Sequence, residues 1–259
     1  MSELEARLDK LLATAQAETA HIDIFTPIAE REECQICMLP LPLNKDEILF
    51  MPCCGKQICL GCMWQSNKAD IAKGVPLKKQ KCAFCRQLLP TNSIKAIKKL
   101  MKKKNNPHAY MEMAGYYNRG EQVLQSDTKC LEMFICAAEL GNADAIGWIG
   151  QHYQRGNVVE QEHQKALAFW EIASKKGDIA SHDILARVYE NVNENKSIKH
   201  FKVAASAGDQ VSMDNLMKLY KDKSLSKEEL TQTLRAFQAS TNEMKSKDRD
   251  EARVLFHES

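Results

Sequence analysis

The sequence lacks any long apolar run. Nowhere does it approach the roughly 18 residues that a membrane span needs, so no crossing segment is expected. It opens MSELEARLDKLL, charged from the third residue, without the apolar stretch of a secretory signal. Net charge is small, +2 over 259 residues, so global charge names no partner. The seven histidines are scattered and show no ligand spacing. Acid is missing altogether from residues 71 to 111, which carry eleven bases (Lys73, Lys78, Lys79, Lys81, Arg86, Lys95, Lys98, Lys99, Lys102, Lys103 and Lys104). Aromatics hardly interleave these bases, so single-strand nucleic-acid binding is not expected. Together these absences point to an intracellular chain, cytoplasmic and/or nuclear, whose thiols stay reduced.

What is abundant is cysteine. There are ten, and eight fall between residues 34 and 85. In a reducing compartment that density suggests metal rather than disulfides. The order is Cys34-x2-Cys37, fifteen residues, Cys53-Cys54, four residues, Cys59-x2-Cys62, nineteen residues, Cys82-x2-Cys85. A Cys-x-x-Cys turn aims both sulfurs at one point, and structural zinc takes four ligands. Eight thiols therefore suit two zinc ions. The segment is short of large apolar residues, and bound metal would supply the folding energy it lacks. Cys130 and Cys136 fall in helical repeats and read as packing residues.

The adjacent pair is the awkward part. A register starting at Cys54 puts Lys56 where a second ligand belongs, and lysine is a very poor one. Using Cys53 and Cys54 together, with Gly55 relaxing the turn behind them, is the preferred reading. A three-thiolate site completed by water is the alternative.

Elsewhere the pattern is helical. Residues 1–20 form an amphipathic N-terminal helix, with Leu4, Leu8, Leu11, Leu12 and Ala15 on one face. Residues 21–33 read as a linker and 34–90 as the cysteine-rich module. Residues 91–106 form a basic linker helix, closed by Asn105-Asn106-Pro107. From 107 the chain repeats: AYMEMAGYY (109–117), AIGWIGQHY (145–153), SHDILARVY (181–189) and SMDNLMKLY (212–220) align on Tyr117, Tyr153, Tyr189 and Tyr220. Second blocks FICAAELG, WEIASKKG and FKVAASAG follow the first three and end on Gly141, Gly177 and Gly208. A period in the thirties with two helices per unit reads as a helical solenoid, extending to 246 with a charged terminal cap from about 227. Residues 247–259 read as a polar tail with one apolar patch at Val254-Leu255-Phe256.

Two resemblances attach to these residues. The repeated pattern of small residue, tyrosine, aromatic and glycine resembles the Sel-one-like repeats, relatives of the tetratricopeptide repeats. That resemblance implies a superhelix of helix pairs with a protein-binding concave face and no chemistry of its own. The eight cysteines resemble a RING finger in an all-cysteine variant. This resemblance implies cross-bracing: Cys34, Cys37, Cys59 and Cys62 on one zinc, Cys53, Cys54, Cys82 and Cys85 on the other. It further implies binding of a ubiquitin-conjugating enzyme loaded with ubiquitin. Ile36 and Trp64 would be apolar contacts, and Arg86 would bridge enzyme and ubiquitin. No residue is catalytic in this reading, because such modules act by positioning. Ala83 departs from the pattern, since proline is common there. The expectation is a mostly α chain, a small two-zinc RING module joined to an α-solenoid that holds a protein substrate or scaffold. A non-catalytic adaptor is the rival.

Overall fold

The computed structural model describes residues 3–28, 31–76 and 79–257. Met1, Ser2, residues 29–30 of the expected linker, Lys78 of the basic stretch and residues 258–259 of the expected tail lie outside the described residues. The chain is mostly helical. Its contacts divide it into two units, one of Met1–Glu30 and Ala114–Thr241, the other of Arg31–Met113 and Asn242–Ser259. No described helix is long and apolar enough to cross a membrane.

The first unit holds α1 (Glu3–Thr19) and the repeat helices α5 (Asp127–Glu139), α6 (Ala143–Arg155), α7 (His163–Lys175), α8 (Ile179–Tyr189), α9 (Glu194–Ser206), α10 (Gln210–Lys221) and most of α11 (Lys227–Glu243). Helix α4 (Pro107–Arg119) opens the first repeat, and the division between the units falls inside it. Successive helices from α5 to α10 pack on one another.

One turn explains the repeat. Gly141, Gly177 and Gly208 take φ of +88°, +94° and +100°, a region that strains any side chain. The residue after each, Asn142, Asp178 or Asp209, donates its N–H back to Ala137, Ala173 or Ala204 at 3.1, 2.9 and 3.1 Å. These are Schellman closures of the second helix. The same Asn or Asp side chain then caps the next helix, accepting from the N–H of Ala145, Ser181 or Ser212. Two residues thus end one helix and start the next.

The aligned tyrosines mark the other turn. The carbonyls of Tyr117, Tyr153 and Tyr189 accept the N–H of Ser126, Glu162 and Asn193, which stand just before the second helices. Lys129, Lys165 and Lys196 lie over those three rings at 5.6, 5.4 and 4.9 Å. The lysine follows its tyrosine by twelve residues in the first two repeats and by seven in the third, so the shortened loop keeps the contact. Between the helices the core is apolar, with Leu131, Ile135, Ile146, Ile149, Phe169, Leu185, Phe201 and Leu216 buried. At Gly150 an added Cβ would stand 2.7 Å from Trp170 Nε1, so only glycine admits that indole.

Helix α1 lies against α5 and α7. Leu8 is fully buried and Ala15 nearly so. Arg7–Glu139, Lys165–Asp9 and Lys176–Glu18 flank them at 2.9, 3.0 and 2.8 Å. Exposed pairs of this kind contribute little, so the apolar stripe carries the docking. Replacing Leu8 by alanine should lower the stability of the repeat unit by about 2–5 kcal/mol, read as a lower urea midpoint of the helical signal.

Two histidines lie inside this unit. His182 and His200 are buried, with Nδ1 atoms 3.1 Å apart. Burial pushes His182 down to about 4 and His200 to about 3, the latter also opposed by the charges of His182 and Lys196. The unfolded chain protonates them near 6.5, so between pH 6.5 and about 4 it binds protons that the folded chain refuses. Stability is therefore full above pH 6.5 and falls on acidification by about 1.4 kcal/mol per pH unit for each histidine. Urea midpoints measured across that range should fall less steeply for His200→Gln than for wild type. Cysteine protonation affects both proteins equally.

Candidate metal centre

The second unit is built around the cysteines. Strands β1 (Ile48–Met51) and β2 (Lys56–Cys59) pair antiparallel, with Ile48 opposite Cys59 and Met51 opposite Lys56. Pro52, Cys53, Cys54 and Gly55 form the loop between them. Both Cys54 and Gly55 donate their N–H to Met51 O, at 3.2 and 2.7 Å. Gly55 has φ +76° and its carbonyl accepts from Asn106 Nδ2 at 2.9 Å. A side chain at Gly55 would meet that amide at 2.6 Å. The loop is therefore pinned from behind, and its two adjacent cysteines face the same way. Lys56 is exposed at the start of β2.

The two outer knuckles are copies of one another. Glu33 bridges to Pro40 and Lys81 to Leu88, each closing a turn of the same length. Cys34 N donates to Leu39 O and Cys82 N to Gln87 O. Met38 N returns to Cys34 O and Arg86 N to Cys82 O. Met38 and Arg86, each four residues after the first cysteine, take φ of +58° and +61°. The remaining pair, Cys59 and Cys62, straddles the junction of β2 with α2 (Leu60–Ala72).

These elements bring the eight thiols into two groups of four: Cys34, Cys37, Cys59 and Cys62, and Cys53, Cys54, Cys82 and Cys85. Within each group the sulfurs lie within 4.8 Å of one another. Cys37 and Cys59 are 3.9 Å apart, Cys54 and Cys82 3.9 Å, and Cys53 and Cys85 3.4 Å. Four sulfurs at about 2.3 Å from one tetrahedral ion stand about 3.8 Å apart. The two groups could therefore each hold one metal ion. Bare, four such thiols cannot all ionise together: burial, then hydrogen bonding to Cys85, pushes Cys53 up, and burial pushes Cys54 up to about 11. A divalent cation reverses that balance. Between the groups the apolar filling is thin, chiefly Leu41, Met51, Ile58 and Ala83.

A buried charge faces the first group. Arg249 is 2% exposed. Its Nη1 donates to Pro40 O at 2.8 Å and to Met244 O, and its Nη2 lies 3.5 Å from Leu39 O and 3.6 Å from Cys37 Sγ. Burial works to lower its pKa, yet hydrogen bonding and attraction to Cys59 and Cys37 leave it raised. It makes no ion pair with a carboxylate among the described residues. A buried guanidinium needs a counter-charge, and the thiolates of a metal-loaded group supply one.

Arg249 belongs to α12 (Lys247–His257), which replaces the polar tail expected over 247–259. Ser246 Oγ caps its start by accepting from Arg249 N, and Asp248 and Asp250 stand in its first turn, as a helix N-terminus favours. The apolar residues of the supposed tail are thus on a helix that packs against α2. Ala252 is buried with Leu60 and Trp64, and Phe256 meets the Trp64 ring edge-on at 6.2 Å. Arg253 forks onto Glu47 at 3.0 and 3.1 Å.

This packing corrects the reading of Trp64 as an apolar partner contact, because the residue is 8% exposed and lies beneath α12. Ile36, by contrast, is 40% exposed, and Phe84, at the equivalent position of the other knuckle, is 41% exposed. Arg86 is exposed and its Nη1 donates to Ser66 Oγ at 2.9 Å. Ser66 stands two residues after Trp64, about 200° around the helix, so α2 turns Trp64 to α12 and Ser66 to Arg86. Ala83 is buried. Sequence reasoning missed Phe84, Ser66 and Arg249. The matching turns around Ile36 and Phe84 and the Ser246 cap were the available signals.

The purified chain should hold two metal ions by elemental analysis. Cys37→Ser should lower the content to one by emptying the first group, and Cys53→Ser should do so by emptying the second. A wild-type content of one or none in folded protein contradicts the two-site arrangement.

The Sel1 repeat model, the Sel-one repeat, matches residues 107–142, 143–178 and 189–209. No curated protein matches the sequence. Among solved structures, a Sel1 repeat protein from Oxalobacter formigenes is 22% identical over 75% of this chain and 78% of its own, with a TM-score of 0.49. The c5321 protein, a protective antigen of uropathogenic Escherichia coli strains with an SLR fold, is 21% identical. That match covers 64% of this chain and 36% of the antigen, with a TM-score of 0.48. Three segments of the chain therefore match the Sel1 repeat.

Proposed function

We propose that residues 34–90 bind two zinc ions and form a RING-type module that positions a ubiquitin-loaded conjugating enzyme, while the repeats hold a protein substrate or scaffold. The supporting observation is the interleaving of the thiols: first and third pairs in one group, second and fourth in the other. Zinc is favoured over other ions because four thiolates at tetrahedral spacing suit it, and a closed set of protein ligands marks a structural ion. Bound there, it supplies folding energy and holds the knuckles, leaving the surface residues to act.

On this reading Ile36, with Phe84 beside it in kind, offers the apolar contacts, and Arg86 offers the hydrogen-bonding fork. An arginine suits that task because its five donors are planar and permanently charged. The left-handed backbone at Arg86 and its bond to Ser66 hold the guanidinium near α2 rather than free in solvent. Trp64 has no part in partner binding. Two observations favour the adaptor reading instead: Trp64 is covered and Ala83 is buried, so the apolar surface left for a conjugating enzyme is small.

The deciding measurement is single-turnover discharge of ubiquitin from a panel of loaded conjugating enzymes onto free lysine. Wild type should accelerate discharge from at least one of them. Arg86→Ala should lose at least tenfold of that acceleration with both metal ions retained. Two charge-assisted hydrogen bonds are worth about 1.5–3 kcal/mol each, and about 1.4 kcal/mol is a decade in rate. Equal acceleration by Arg86→Ala removes the bridging role, and with no acceleration across the panel the ligase reading yields to the adaptor reading.

A further inference from the structure

The C-terminal helix is tied to the first thiol group more closely than packing requires. At Gly61, between Cys59 and Cys62, an added Cβ would lie 2.7 Å from Arg249 N and 2.9 Å from Arg249 Cα. Glycine there lets the backbone of α12 reach the knuckle itself. Arg249 then fills the space with its guanidinium against three carbonyl oxygens and Cys37. Among the described residues Arg249 Nε is buried with no hydrogen-bond partner, while Nη2 lies 3.6 Å from Cys37 Sγ. The second group has no equivalent buried cation among the described residues.

We propose that Arg249 is an outer-sphere partner of the first metal ion, so that metal occupancy of the Cys34, Cys37, Cys59, Cys62 group and docking of α12 are one linked equilibrium. The inference rests on the metal reading above and is independent of ubiquitin transfer. The physical argument is charge balance. A divalent ion with four thiolates carries a net charge of −2, and outer-sphere donors stabilise such a set. Arg249 brings one positive charge and a donor to it. Without the ion that charge balance is lost, and the guanidinium is left buried against carbonyl oxygens. That arrangement favours expelling Arg249, and α12 goes with it. Leu60, Met63 and Trp64 are then bared. The chain thereby reports the state of its first metal site through a helix more than 180 residues away in sequence.

The test uses the full chain with zinc as the metal. Elemental analysis of wild type checks the metal reading by itself. Docking of α12 is read by Lys-C digestion after Lys245 and Lys247, followed by mass spectrometry of the released peptide. Wild type and Cys53→Ser should be protected alike, and Cys37→Ser should be cut at least tenfold faster. Zinc affinity is read by release to a chromogenic chelator in the Cys53→Ser background, where only the first group holds metal. Arg249→Met, which keeps the bulk and loses the charge, should release zinc about tenfold faster or more. Arg249→Lys should recover much of the difference, which a packing role would not predict. Gly61→Ala leaves every thiol and Arg249 in place but displaces α12, and it should speed release as Arg249→Met does. Cys37→Ser protected as well as wild type overturns the inference. So does wild-type release from both Arg249→Met and Gly61→Ala. In either case a wild-type content of two zinc ions leaves the metal reading standing. A wild-type chain without metal fails both.

Discussion

Eight thiols gathered into two groups of four govern the unit of residues 31–113 and 242–259. The apolar side chains between them are few, and a segment of this size with so thin a core does not fold on burial alone. The groups do the work that a core does elsewhere. They fix two knuckles of identical turn geometry, a hairpin loop and the strand–helix junction at Cys59 relative to one another. Every exposed feature follows from that fixing. Ile36 and Phe84 project because they occupy the same position of the same turn. Arg86 stands on a left-handed residue because that turn ends there, as Met38 shows in the other copy. Neither outward position is set by local propensity. Both are consequences of aiming sulfurs inward.

The repeats solve the opposite problem. Their units cannot each enclose a core, so stability comes from stacking one helix pair on the next. The repeating glycine and Asn or Asp make that stacking regular, because one two-residue turn closes a helix and caps its successor. The first unit therefore needs no metal to define its turns, while on the proposed reading the second would rely on metal to hold its knuckles together. The expectation that follows is a chain whose two units respond to different insults. Acid reaches the repeats through the buried histidine pair and the cysteine unit through its thiols. Chelation reaches only the cysteine unit.

Much of this was legible in the sequence. The tyrosine register located the helix pairs because the tyrosine carbonyl and ring meet the same partners each time. The glycines located the Schellman turns because no other residue takes that φ cheaply. The spacing of the cysteines gave the count of eight and the interest of the adjacent pair. What was not legible depended on contacts across the chain. Residues 247–259 were read as a tail because thirteen residues rich in charge do not hold a helix on their own; the Trp64 face of α2 supplies the missing surface. Trp64 was read as a partner contact because the RING resemblance places an apolar residue there, and nothing local in the sequence says what covers it. Arg249 carried no motif at all, since a charge-balancing partner need only be near in space.

The two faces of α2 now have separate uses. One carries Leu60 and Trp64 and is spent on α12, which removes the largest apolar side chain of the module from solvent. The other carries Ser66 and is shared with Arg86. A conjugating enzyme would then meet a surface of modest apolar area in which the arginine fork has unusual weight. Such a surface gives weak binding whose effect on rate rests on orientation. The same division places α12 on the side away from Ser66 and Arg86. Loss of the first metal would uncover a new apolar face without touching the Arg86–Ser66 bond directly, while dissolving the Cys34–Cys37 knuckle that presents Ile36. The module would therefore lose its outward apolar contact and gain a different one in the same event. On the proposed linkage, that exchange of surfaces would make the first thiol group, rather than the second, the place where partner preference is decided.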